Sequence, residues 1–183
     1  MGRLTTLELD QMTPEQREVA DAIASGPRGG IRGPFNAWLR SPELASHGQQ
    51  LGAYCRYGSS LPPNLSELAI ILTGKHWTSQ YEFYAHARLA LAAGVSEAAV
   101  DAIRTGGTPA FEDEREQLIY DFVTEYLRTH RVSDAMYQRA LDLIGERGVL
   151  DVVAIVGYYG LVSMTLNVFA VDLPEGVEPP LPE

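Results

Sequence analysis

Residues 149–171 read V-L-D-V-V-A-I-V-G-Y-Y-G-L-V-S-M-T-L-N-V-F-A-V, apolar on nearly every side of a helix. A helix without a solvent face must be surrounded, by the rest of the chain or by another copy of it. Nothing else in the sequence constrains the fold as much. Gly157 and Gly160 interrupt its most apolar part. What remains falls short of the roughly 18–20 residues of a membrane span. The segment is therefore expected as a central or interface helix, and no membrane partner is expected. A chain of 183 residues that is 45% hydrophobic can build one core around it and is short for two.

The remainder reads as helix after helix, punctuated by Gly, Pro and Ser. Thr13-Pro14-Glu15-Gln16 carries a capping box with Pro at the first helical position, opening a helix to about Ala24. Residues 25–36 are Gly- and Pro-rich and read as a loop. Neither GxxxxGK[ST] nor GxGxxG is present there, so it is no phosphate loop. Ser41-Pro42 opens a second helix to near Tyr57, with Leu44, Leu51 and Tyr54 along one face. Further helices are expected from Asn64, up to Ala93 before Gly94, after Ser96, over residues 111–129, and from Ser133 to Gly148. Leu118, Phe122 and Tyr126 mark the inner face of the 111–129 helix. No strand alternation is sustained anywhere. The fold class is all-α, in a single domain.

Charge and cysteine content remove several functions. Lys plus Arg number 14 against 24 Asp plus Glu, a net charge of −10. Nucleic acid calls for basic patches, so no nucleic-acid partner is expected. Cys55 stands alone, so an internal disulfide, a CxxC pair and a cysteine-rich zinc site are all out of reach. With no signal-peptide core and no disulfide, the expected location is cytoplasmic.

The chemistry is concentrated in residues 67–94, E-L-A-I-I-L-T-G-K-H-W-T-S-Q-Y-E-F-Y-A-H-A-R-L-A-L-A-A-G. Glu82 and His86 lie four apart on one helical face, and Ser79 joins them. A carboxylate beside an imidazole orients the ring, and such a pair can relay protons near neutral pH. Glu67 lies twelve residues before Ser79. On an unbroken helix that is roughly 120° off the stripe, so it joins only if the helix breaks, and residues 74–78 offer the break. Most E-x-x-x-H pairs are solvated structural pairs. A metal would need a third ligand, with only Glu67 or His76 near, and no metal is expected. Cys55 sits on an apolar face and reads as a small buried hydrophobe.

Taken together, Glu67, then Ser79-x-x-Glu82-x-x-x-His86, then Gly94-Val95-Ser96, resemble the carboxymuconolactone decarboxylase and alkylhydroperoxidase D-like superfamily. Its redox branch places a Glu, a C-x-x-C pair and a His at this spacing. Here Ser79 and Glu82 stand where the cysteines would be, which removes thiol peroxidase chemistry. The decarboxylase branch lacks the cysteines and carries E-x-x-x-H-x-R before Gly-Val, as do Glu82, His86, Arg88, Gly94 and Val95. The resemblance covers about residues 40–175. It divides the chain into an N-terminal extension (1–40), a decarboxylase-like domain (41–173) and a Pro-rich tail (174–183) that should be extended and wrap a neighbour. It also implies an all-helical alkylhydroperoxidase D-like fold, oligomeric as a homotrimer or homohexamer.

The function expected from the resemblance is a carboxy-lyase-like step on a small unsaturated lactone or keto acid. The conjugated carbonyl takes up the electron pair left by CO₂, so no cofactor is expected. His86 is expected to donate the proton, Glu82 to orient it, and Glu67 to serve as a second acid or base. Ser79, His76, Trp77, Tyr81 and Arg88 are the expected substrate contacts. Two rivals stand: a redox role using an exposed Cys55 near His86, and a non-catalytic oligomeric binding protein.

Overall fold

In the computed structural model, which describes residues 2–26 and 29–182, eight α-helices form and no strand does among those residues. They are α1 (Pro14–Ser25), α2 (Phe35–Trp38), α3 (Pro42–Ala53), α4 (Pro63–His76), α5 (Gln80–Ala92), α6 (Glu97–Thr105), α7 (Glu114–Thr129) and α8 (Asp134–Val168). Capping explains most of the starts. Thr13 and Gln16 form the reciprocal capping box, and Ser96 and Ser133 each accept from a first-turn backbone N–H. Capped by Asp113, α7 begins at Glu114, three residues later than the expected 111–129 helix.

The central helix is α4. It packs against α5, α7 and α8, and every residue from Leu65 through Gly74 is buried. The C-terminal helix was the sequence's candidate for that place, and it is only half enclosed. Val152, Ile155, Tyr159, Val162 and Leu166 of α8 face the core, while Leu150, Val153, Leu161, Met164 and Val168 face outward. Gly157 and Gly160 lie inside this helix without interrupting it, so the apolar run is longer than the sequence suggested and reaches the length of a membrane-crossing helix. Most of that run is nonetheless buried within the fold, as core helices are.

The break ahead of α8's apolar half is at Gly145, not at Gly148. Gly145 takes φ +68° and ψ 171°, open to glycine and strained for other residues. Gly148 stays helical, and it must be glycine because a Cβ there would fall 2.8 Å from Ile144 Cβ. The Leu44, Leu51 and Tyr54 face of α3 is also reversed: all three are exposed, and the buried face is Ala45, Gly48 and Gly52. Small residues there admit the Trp38 ring, whose indole N–H reaches Thr165 Oγ1 of α8 at 3.0 Å. Within the expected 25–36 loop, Phe35 already begins α2.

After Ala53, α3 widens into a π-helical turn, Tyr54–Gly58. Asp151 of α8 anchors it: Tyr54 Oη donates to Asp151 at 2.5 Å, and Ser60 N and Oγ at 2.7 and 2.6 Å. The Pro-rich tail wraps its own chain. Leu181 exchanges two hydrogen bonds with the Gln80 side chain, at 2.9 and 3.0 Å, and its side chain is buried.

Candidate acid–base site

The break between α4 and α5 brings the site together. α4 ends at His76, Thr78 takes φ +47°, and Ser79 begins α5. The chain reverses there, and the two helices pack side by side. Gly74 is not the break itself. It lies within α4, where a Cβ would stand 3.5 Å from Glu82 Cγ and from the Phe83 nitrogen, so it sets how closely α5 approaches. Glu67, three turns back along α4, thereby meets α5 from the side.

The result is an imidazole between two carboxylates. His86 Nδ1 lies 2.6 Å from Glu67 Oε2, and Nε2 lies 3.1 Å from Glu82 Oε1. The first contact has hydrogen-bond alignment. The second has ion-pair distance without it, so Glu67 holds the ring more firmly. All three groups are buried. A neutral imidazole has one N–H and satisfies one contact. The other needs a second proton, on the ring or on a carboxylate. In the tautomer whose Nδ1–H donates to Glu67, that proton lies on the Nε2–Glu82 side.

Glu82 and His86 line a cavity of about 540 Å³, and Glu67 does not. Glu67 thus stands behind the ring, while Glu82 stands beside the space a ligand would occupy. Tyr159 of α8 packs edge-on to His86, with ring centroids 5.0 Å apart. Its hydroxyl is buried and has no partner among the described residues. Burial and the nearby Glu82 charge push that phenol well above its usual range, with Arg56 opposing, so it remains a donor.

The rim of the cavity is cationic. Arg32, Arg56 and Arg88 all line it, from the 29–34 loop, the π-turn and α5. Arg56 lies over the Tyr57 ring at 5.1 Å and Arg88 over Tyr84 at 4.9 Å. None of the three makes an ion pair among the described residues. In a chain of net charge −10, three unpaired guanidinium groups around one cavity form a local anion-attracting surface.

Of the expected substrate contacts, Tyr81 and Arg88 line the cavity. Ser79 does not. It precedes α5 with its hydroxyl buried and without a partner among the described residues. Trp77 is displaced because it ends α4: its carbonyl accepts from Asn167 Nδ2 at 2.7 Å, and its indole lies against Gly160. His76, one residue earlier, lines a separate cavity near α7. Arg56 and Tyr159 escaped the sequence reading. Tyr159 is hidden in an apolar run, and Arg56 reaches the cavity only because a π-turn shifts its register, an arrangement frequent at functional sites. Cys55, in the same turn, is fully buried, so it offers no accessible thiol and the redox rival loses its nucleophile.

No family model matches the sequence, and no curated protein matches it. Solved structures do resemble it. An uncharacterized peroxidase-related protein of Ralstonia eutropha JMP134, described as an alkylhydroperoxidase AhpD core, matches with a TM-score of 0.77 over 95% of this chain and 93% of that one, at 14% identity. An uncharacterized peroxidase-related protein of Silicibacter sp. TM1040 matches with a TM-score of 0.73 over 91% and 88%, at 13% identity. At these identities the likeness is one of backbone, and it establishes that the chain has the alkylhydroperoxidase D-like fold.

Proposed function

We propose that the chain is a carboxy-lyase-like enzyme that runs acid–base chemistry, without a cofactor, on a small unsaturated lactone or keto acid. The observation that carries this reading is His86, clamped by Glu67 and turned with Glu82 toward a cavity rimmed by unpaired arginines. In the reaction, the bond from carbon to the departing carboxylate breaks. Its electron pair moves into the conjugated carbonyl, giving an enolate and CO₂. The proton held on the Nε2–Glu82 side passes to carbon, and water restores it. Glu67 is the positioning residue and Glu82 shares the moving proton, a reversal of the roles the sequence suggested. An arginine on the departing carboxylate would stabilise the ground state and slow the reaction. The arginines therefore hold oxygen atoms that the product retains.

The test is CO₂ release, and deuterium uptake at carbon in D₂O, across unsaturated lactone acids and keto acids. Absence of both across the set defeats the reading. With an active substrate, Arg56→Gln lowers kcat/KM by about 10–100-fold, the loss typical of a charged hydrogen bond. Unchanged kinetics would remove Arg56 from the substrate site.

The partner we propose for α8 is a second copy of this chain. Leu150, Val153, Gly157, Leu161 and Met164 are all exposed. They fall seven and four residues before Gly157 and four and seven after it. A stripe symmetric about one point suits an isologous two-fold contact, in which a helix crosses its own copy antiparallel. Gly157, with nothing within 4 Å of a Cβ placed there, sits at the crossing and permits close approach. Of the trimer and the hexamer, only the hexamer contains two-fold axes. Leu161→Glu halves or further divides the mass seen by light scattering, and a monomeric parent protein would refute the contact.

A further inference from the structure

The second cavity, also about 540 Å³, lies where the C-terminal ends of α4, α6 and α7 meet. Four of its lining residues are basic: Lys75, His76, Arg128 and His130. No carboxylate lines it, although the chain has 24 acids to 14 Lys and Arg. The acids nearby in sequence are engaged elsewhere. Asp101 pairs with Arg104, Asp121 with Arg139, and Glu125 accepts from the Ser133 nitrogen.

Cations at helix C-termini are ordinary, since they complement the dipole. Lys75 fills that role, its ammonium 2.9 Å from the Arg104 carbonyl. The side chains of His76, Arg128 and His130 are a surplus: none makes a hydrogen bond or ion pair among the described residues. Burial, and after it the charge of His130, push the His76 imidazole down, and no acid lining the cavity offsets them. Beneath them, Leu72 and Ile103 supply a buried apolar floor.

We infer that this cavity is a second ligand site, for a small monocarboxylate with an aromatic or branched apolar body. The carboxylate lies between Arg128 and the two imidazoles, and the body lies on Leu72 and Ile103. The inference is independent of the chemistry assigned to His86. The probe is benzoate, with benzyl alcohol as the uncharged control of the same shape. Benzoate is titrated at pH 7 into the full-length protein while the imidazole signals of His76 and His130 are followed by NMR. Both signals are expected to shift saturably. Arg128→Gln, an exposed substitution, should weaken binding at least tenfold, and benzyl alcohol should bind at least tenfold more weakly than benzoate. Arg56→Gln, in the other cavity, should leave these titrations unchanged. Shifts that never saturate, an equal response to benzyl alcohol, or indifference to Arg128→Gln would overturn the site. So would loss of the response in Arg56→Gln, which would place the bound benzoate in the first cavity. If Arg128 and the two imidazoles serve the helix ends alone, Arg128→Gln lowers the melting temperature and benzoate binds neither protein.

Discussion

His86→Gln lowers kcat by about 10²–10⁴-fold, the range that a positioned general acid contributes. KM should change far less, because on the proposed reading the arginines hold the substrate and His86 acts on the reacting carbon. Glutamine is the informative replacement. It keeps one donor for Glu67 Oε2, whereas alanine leaves two buried carboxyl groups without their shared imidazole partner, a change that costs several kcal/mol of stability. Initial rates of CO₂ release and a thermal melt on the same sample separate the two effects. A His86→Gln protein that melts like its parent and turns over at the parental rate would end the acid–base assignment. Glu67→Gln should follow in the same direction with a smaller loss, since an amide can still hold the ring at Nδ1.

The largest expected effect on stability is at Asp151. Its carboxylate is fully buried and accepts three hydrogen bonds, from Tyr54 Oη and from Ser60 N and Oγ. Burial alone would raise its pKa. The donors from Ser60 and Tyr54, with the Arg147 charge behind them, overcome burial and hold it below the usual carboxylate range. Asp151→Ala removes three hydrogen bonds to a charged acceptor and should cost about 3 kcal/mol, the upper end for such a bond, since water can reach the exposed Tyr54 and Ser60 donors left behind. For a chain of this size that is a fall of roughly 6–12 °C in melting temperature. The pH dependence has a definite sign. A depressed carboxylate contributes its full stabilisation above about pH 4, the unfolded value, and loses it as pH falls through the folded value. Urea unfolding at pH 7 and in acid should therefore show less acid sensitivity in Asp151→Ala than in the parent. Equal acid sensitivity would assign the acid transition to other carboxylates. The substitution also frees the π-turn that presents Arg56, so loss of affinity at the first cavity should accompany the loss of stability.

Helix existence was legible because caps and breakers are local chemistry. The Thr13 box, Ser96, Ser133 and the reversal near Thr78 all depend on neighbours within four residues. The meeting of Glu67 with His86 was legible for the same reason, once a break was placed between them. Facing was less legible. Leu44, Leu51 and Tyr54 are as apolar as any core stripe, yet α3 turns its small residues inward because the Trp38 ring occupies that space. Spacing also misplaced Trp77 and His76. They adjoin the site in sequence, but a helix that ends between them and Ser79 sends their side chains elsewhere. Arg56 could not have been found by periodicity at all, since a π-turn abandons the 3.6-residue repeat on which periodicity depends.

The walls of the first cavity come from two kinds of chain. Glu67, Glu82 and His86 stand on packed helices, where a shift of one disturbs its neighbours. Part of the opposite wall comes from Arg32, Gly33 and Pro34, ahead of α2, and from Pro174, beyond α8. Connecting segments tolerate replacement far better than packed helices do. The two walls can therefore diverge at different rates: descendants of one ancestor could exchange the compounds they accept while inheriting the same reaction. Recombining only these two segments between relatives of this fold should move selectivity without rebuilding the catalyst.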